Sequence, residues 1–106
     1  MDAQLRRGVL EACVLASLCG GDSYGYKMIK DVSPYVEISE STLYPILKRL
    51  ETAECVGVYS MEHNGRLRKY YRLTDAGRER IAQFMEDWQS IAGVYEYIKE
   101  AFENDA

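Results

Sequence analysis

Seven apolar side chains, Ile81, Phe84, Trp88, Ile91, Tyr95, Ile98 and Phe102, follow one another at alternating spacings of three and four residues. Sustained over three heptads, such spacing is an a/d-like seam. A helix over roughly residues 75–103 that carries it would be about 43 Å long at 1.5 Å per residue. A chain of 106 residues has room for a single domain. Folded back on its own domain, such a helix would be covered over its first half only. The seam therefore asks for a partner helix, and a symmetric homodimer is the commonest arrangement that supplies one. Gly93 interrupts the helix at a cost of about 1 kcal/mol relative to alanine, which marks either a close helix approach or a bend.

Upstream, apolar residues from Gln4 to Cys19 form a stripe wide enough for a helix with more than one buried face, and Gly20-Gly21 ends it. Asp22 or Ser23 then caps a second helix that runs to about Ser33, where Pro34 stops it. Val36-Glu37-Ile38 reads as a short extended piece. A third helix begins between Ser39 and Thr42, with Pro45 limiting its start. Its core stripe is Leu43, Ile46, Leu47 and Leu50. Cys55 to Met61 reads as a strand, Glu62 to Arg66 as a turn around Asn64-Gly65, and Leu67 to Leu73 as the return strand. Thr74 caps the last helix, with Asp75 in its first turn.

Three helices, a hairpin and a final helix make a mainly α fold with a small β-hairpin. The order suits a winged helix-turn-helix domain plus a long C-terminal dimerisation helix. On this reading residues 1–73 form the winged helix-turn-helix part and residues 74–106 the dimerisation helix of the same single domain. A small α-rich domain with an incidental hairpin is the alternative.

Charge is distributed unevenly. The net charge of −4 conceals +3 over residues 41–80 and −5 over residues 81–106. A basic middle suits a polyanion and the acidic segment suits something else, although uneven surface charge alone would look the same. On the third helix, Ser41, Pro45, Lys48 and Thr52 lie opposite the core stripe, flanked by Tyr44 and Arg49. A major-groove reader needs short donors and acceptors at its start and cations behind them. In the hairpin, Arg66, Arg68, Lys69 and Arg72 place four cations in seven positions with Tyr70 and Tyr71 between them. They fit a phosphate-contacting wing, and equally the guarding of an exposed strand edge. Trp88 reads either as seam core or, with Phe84, Met85 and Ala92 nearby, as one wall of a gap between subunits where a flat aromatic compound stacks.

Three segments together resemble the PadR family of bacterial transcriptional regulators. They are Asp22-Ser23-Tyr24-Gly25-Tyr26, then Ser39-Glu40-Ser41-Thr42-Leu43-Tyr44-Pro45 followed by Lys48-Arg49-Leu50-Glu51, and finally Gly65 through Gly77. The resemblance spans roughly residues 4–103, and the short chain with one C-terminal helix is similar to the subfamily that includes multidrug-sensing repressors. It implies a homodimeric repressor on an inverted-repeat operator near a transporter or detoxification gene. Ser41, Thr42, Tyr44 and Lys48 would then contact DNA from the third helix, and Tyr24, Tyr26 and Lys27 would approach phosphates from the second, Tyr26 being also a candidate for burial. Arg66, Arg68 and Lys69 match the wing, Leu67 departs from its usual basic or polar residue, and Trp88 matches a drug-stacking tryptophan.

A winged-helix protein-interaction module without DNA binding is the alternative function. An enzyme is not expected: His63 is the one histidine, placed in the turn, and no phosphate loop or dinucleotide fingerprint occurs. No cofactor and no metal are expected, because Cys13, Cys19 and Cys55 form no ligand spacing. Free thiols and a first apolar run too short for a bilayer lead to the expectation of a cytoplasmic protein without membrane contact.

Overall fold

A computed structural model describes residues 1–105. Ala106, the last residue of the expected dimerisation segment, lies outside them. Helices α1 (Ala3–Ala16), α2 (Gly25–Val32) and α3 (Glu40–Thr52) precede strands β1 (Val56–His63) and β2 (Arg66–Leu73), and α4 (Asp75–Glu103) closes the chain. The order is the expected one, and the fold is a winged helix with a long C-terminal helix.

The core sits where the three short helices meet the base of the hairpin. Leu10, Val14 and Leu18 of the first segment, Met28 and Val32 of α2, and Leu43, Ile46, Leu47 and Leu50 of α3 are buried there with Val56, Tyr71 and Leu73. The third helix thus buries the stripe its spacing predicts and leaves Ser41, Tyr44, Pro45 and Lys48 outside. It starts at Glu40, inside the expected window, so Pro45 stands beyond the first turn. Without an N–H, the proline cannot supply the usual helical bond to the Ser41 carbonyl; both residues lie on the exposed face, where that loss is cheapest.

Two local expectations are corrected. Neither Asp22 nor Ser23 caps α2; Tyr24 holds the N-cap position without a side-chain bond. Ser23 instead pairs its backbone with Tyr71, its N–H donating to the Tyr71 carbonyl at 3.1 Å and its carbonyl accepting from the Tyr71 N–H at 2.8 Å. The segment joins the hairpin as a one-residue third strand. Asp22 is drawn the same way, accepting from the Tyr59 hydroxyl at 2.6 Å and from the Arg72 guanidinium at 3.1 Å. The hairpin turn is also shorter than expected. Asn64 (φ 52°) and Gly65 (φ 79°) alone reverse the chain, so His63 pairs with Arg66 and the ladder runs unbroken to Val56 opposite Leu73. Two consecutive residues at positive φ are what a two-residue hairpin needs, and they suffice.

At the start of α4 the Thr74 hydroxyl accepts from the Gly77 N–H at 3.1 Å and donates to the Glu54 carbonyl at 2.7 Å. Ile81 packs on the core and Arg80 pairs with Glu11 of α1 at 2.8 Å. Beyond Phe84 the helix leaves the domain, giving a molecule 65 × 25 × 21 Å. Trp88 is 50% exposed and Ile98 57% exposed. The second face expected to be buried on α1 is likewise open: Leu5 and Ala16 are exposed, and Val9, Ala12 and Cys13 are only half-buried. Among the described residues, Leu5, Ala16 and the seam from Trp88 onward stay exposed.

Candidate nucleic-acid interface

The N-terminal half of α3 carries the short polar groups. Ser39 bonds through its Oγ to Ser41 Oγ at 3.0 Å and Thr42 Oγ1 at 3.2 Å, an exposed hydroxyl cluster at the helix start. Tyr44 and Lys48 follow on the exposed face. The Tyr44 hydroxyl reaches back over Gly25 at the start of α2; a β-carbon there would lie 2.5 Å from it. Gly25 therefore lets α3 and α2 approach closely.

On the wing side of Tyr44 opens a groove of about 470 Å³, lined by Tyr24 at the N-cap of α2, Tyr26 of α2, Tyr44 of α3, and His63, Arg66, Leu67, Arg68 and Lys69 of the hairpin. Three elements far apart in sequence thus converge on one basic, aromatic concavity. Tyr26 is 65% exposed at its rim, which removes the expectation that it is buried. Tyr24 is half-buried beneath Arg68, whose guanidinium carbon stands 4.0 Å from the ring centroid. That contact holds the arginine flat against the domain by attraction to the ring face. Arg66 and Lys69 remain exposed, and Leu67 is 80% exposed beside them.

Not every expected cation meets this groove. Lys27 is engaged with Asp31 at 3.1 Å, both ends exposed, a pairing weak enough to exchange for another anion. Arg72 is tied to Asp22 at the hairpin base, where Tyr59 and Arg72 together hold the Asp22 carboxyl below the usual carboxylate range, the tyrosine hydrogen bond first. The same bond pushes the Tyr59 hydroxyl upward. Tyr59 also stacks on Tyr70, centroids 5.6 Å apart, and Tyr70 meets Tyr24 edge-on at 5.7 Å. A ladder of aromatic rings thereby braces the wing against α2. Arg49 lies on the opposite flank of α3, beside Arg6 and Arg7. His63, expected in the turn, closes β1 opposite Arg66 and lines the groove while staying exposed; the two-residue Asn64-Gly65 turn is the sequence signal for that pairing.

Among the seam residues, Phe84 and Trp88 stack with centroids 6.1 Å apart and planes 17° from parallel. Met85, Trp88 and Ala92 are exposed in the single chain. Among the described residues no group of His, Cys, Asp or Glu is suited to a metal ion, and no helix is long and apolar enough to cross a membrane.

A braced basic wing beside a helix-turn-helix whose exposed face is polar and cationic defines a winged-helix DNA-binding transcriptional regulator. The chain belongs to the Transcriptional regulator PadR-like family, whose sequence profile matches residues 14–83. Among solved structures it resembles a transcriptional regulator from Clostridium thermocellum, 31% identical, with a TM-score of 0.82 over 90% of this chain and 97% of that one. A PadR family regulator from Eggerthella lenta is 31% identical with a TM-score of 0.82, covering 92% of this chain and 87% of that one. The protein smu.1704 of Streptococcus mutans is 39% identical with a TM-score of 0.78, 89% of each chain being covered.

Proposed function

We propose that this protein is a homodimeric repressor that binds an inverted-repeat operator through α3 and the wing and is released by a planar aromatic effector held between subunits. The observation that carries the DNA reading is the convergence of Tyr24 and Tyr26, Tyr44, and Arg66, Arg68 and Lys69 on one groove beside the reader face. Ser41, Thr42, Tyr44 and Lys48 enter the major groove, while the wing cations and Lys27 take phosphates. Two open apolar faces support the dimer: the α4 seam beyond Phe84, and the outer face of α1 at Leu5, Val9, Ala12 and Ala16. A partner's α4 laid across both would cover them together.

The test is a mobility-shift titration on the DNA upstream of its own gene, at several salt concentrations, with wild type and Lys48→Glu. Wild type binds with an affinity that falls steeply as salt rises. The variant loses at least about tenfold, equivalent to roughly 1.4 kcal/mol. Unchanged binding by the variant removes the reader assignment. No binding by wild type even in dilute salt favours the protein-interaction reading, in which the acidic α4 is the active surface.

The half-exposed Trp88, stacked on Phe84 with Met85 and Ala92 beside it, supports the effector site. A planar ligand wedged there shifts the population toward a subunit spacing that no longer matches the half-sites. Trp88 fluorescence is quenched by planar aromatic dyes on this reading, and flat titrations across a chemically broad panel refute it.

A further inference from the structure

The reader helix has two flanks, and only one faces the wing. On the other, Arg6 and Arg7 of α1 and Arg49 of α3 line a groove of about 330 Å³ with Ala3, Thr42 and Pro45 among its walls. Arg7 is exposed and enters no ion pair among the described residues. Arg6 donates from one terminal nitrogen to the Glu37 carbonyl at 2.7 Å, which fixes its position and leaves its charge uncancelled. The Nε of Arg49 is enclosed and finds no acceptor within the protein.

We propose that this groove is a second DNA-backbone site, so that the protein grips both phosphate strands bordering the major groove. The inference rests on the DNA-binding reading above and extends it to α1. A helix lying in a major groove about 12 Å wide has a phosphate strand on each side. The wing cations stand on one flank of α3, and the three arginines stand on the other. The groove joins the reader face through Thr42 and Pro45, so its occupant is continuous with whatever α3 contacts. Guanidinium groups suit phosphate because two N–H bonds can meet two oxygens in one plane. Asp2 already caps the Leu5 N–H at 3.3 Å, so the attraction comes from the arginines rather than from a bare helix end.

Fluorescence anisotropy on two duplexes, one of mixed sequence and one from upstream of its own gene, tests the site between about 50 and 200 mM salt. The proteins are wild type, Arg7→Ala, Arg7→Lys and Lys48→Glu. Arg7→Ala weakens both duplexes by a similar factor and lowers the salt slope by about one, as loss of one phosphate contact requires. Arg7→Lys keeps most of the affinity, because the charge persists. If Arg7→Ala matches wild type in affinity and slope while Lys48→Glu abolishes binding, the second site is overturned and the DNA reading stands. If both variants bind as wild type does, the second site is overturned and the assignment of α3 as reader falls with it; if wild type binds neither duplex, the DNA reading itself falls. If Arg7→Ala shifts the monomer–dimer balance in sedimentation velocity and leaves the salt slope alone, the arginines serve a subunit contact and the proposal is overturned.

Discussion

A β-carbon at position 77 would run into the Cys55 carbonyl and into Leu73, whereas one at position 25 would meet the hydroxyl of Tyr44 at 2.5 Å. The two glycines look alike in sequence, yet their neighbours differ in how far they can give. The Cys55 carbonyl is backbone, fixed by the Thr74 N–H at 3.2 Å, so Gly77→Ala must displace α4 from the hairpin base. That variant loses about 1–3 kcal/mol of stability, the ordinary range for overpacking, and thermal unfolding reads it as a drop of several degrees. Tyr44 is half exposed and can swing away. Gly25→Ala therefore costs less stability but moves a side chain of the proposed reader face, and the larger effect appears in DNA affinity; a variant with wild-type affinity and a collapsed melting temperature contradicts this. The core stripe of α3 was legible from spacing because period alone decides which side of a helix is apolar. The partners of Asp22 and Ser23 and the surroundings of Arg49 were not legible, because each is set by a segment brought alongside only in three dimensions: the hairpin for the first two, α1 for the third.

The hairpin is an exposed two-stranded ribbon, and such ribbons are marginal unless something holds their base. Here the Ser23–Tyr71 backbone pair and the Asp22–Tyr59–Arg72 cluster provide that hold. Asp22 titrates below its usual value in the folded protein, so its stabilising effect is complete above the ordinary carboxylate pKa, about 3.9, and is lost as pH falls through the lowered folded value. Tyr59 titrates above its usual value, so its share is complete below about 10 and is lost as pH rises through the raised one. Asp22→Asn is accordingly less stable than wild type at neutral pH, and the two melting curves converge in strong acid; a gap that persists there excludes the carboxylate as its source. In α4, a β-carbon at Gly93 would have nothing within 4 Å, so no close approach in the chain explains this glycine. It lies on the side of the helix opposite the seam. Gly93→Ala should therefore raise stability by up to about 1 kcal/mol through helix propensity and leave self-association unchanged. Weakened association would place a partner surface against that side. The turn of the hairpin was readable from Asn64-Gly65, and the seam from its heptads. What neither pattern conveyed was that Arg68 and Arg72 are partly occupied inside the protein, one on Tyr24 and one on Asp22.

As a whole, the molecule is a small domain with a helix that outreaches it, and the mismatch shapes its behaviour in solution. Ile91, Tyr95, Ile98 and Phe102 are each more than half exposed on one stripe, while Leu5 on α1 is nearly so. Fully burying a large apolar side chain is worth about 1.5–3 kcal/mol relative to full exposure, so covering a half-exposed one gains about half of that. In the proposed homodimer a second copy would cover the stripe twice, once on each chain, so one substitution would be felt twice at a symmetric contact. A carboxylate at the middle of that contact would be buried without a partner, at a cost well above the lost apolar area. Ile98→Glu should therefore sediment as a monomer at concentrations where wild type is a dimer. It should keep the hairpin and the short-helix core, since position 98 touches neither. Its DNA binding then separates two contributions. A single reader helix retains the salt-dependent, sequence-independent attraction to duplex, whereas recognition of an inverted repeat requires two readers at a fixed distance, about one helical turn or a multiple of it. The expected outcome is a variant that still binds mixed-sequence duplex weakly in dilute salt but has lost its preference for the operator. A variant that is monomeric yet retains that preference would show that the half-sites are read independently, and α4 would then have to serve some contact other than subunit pairing.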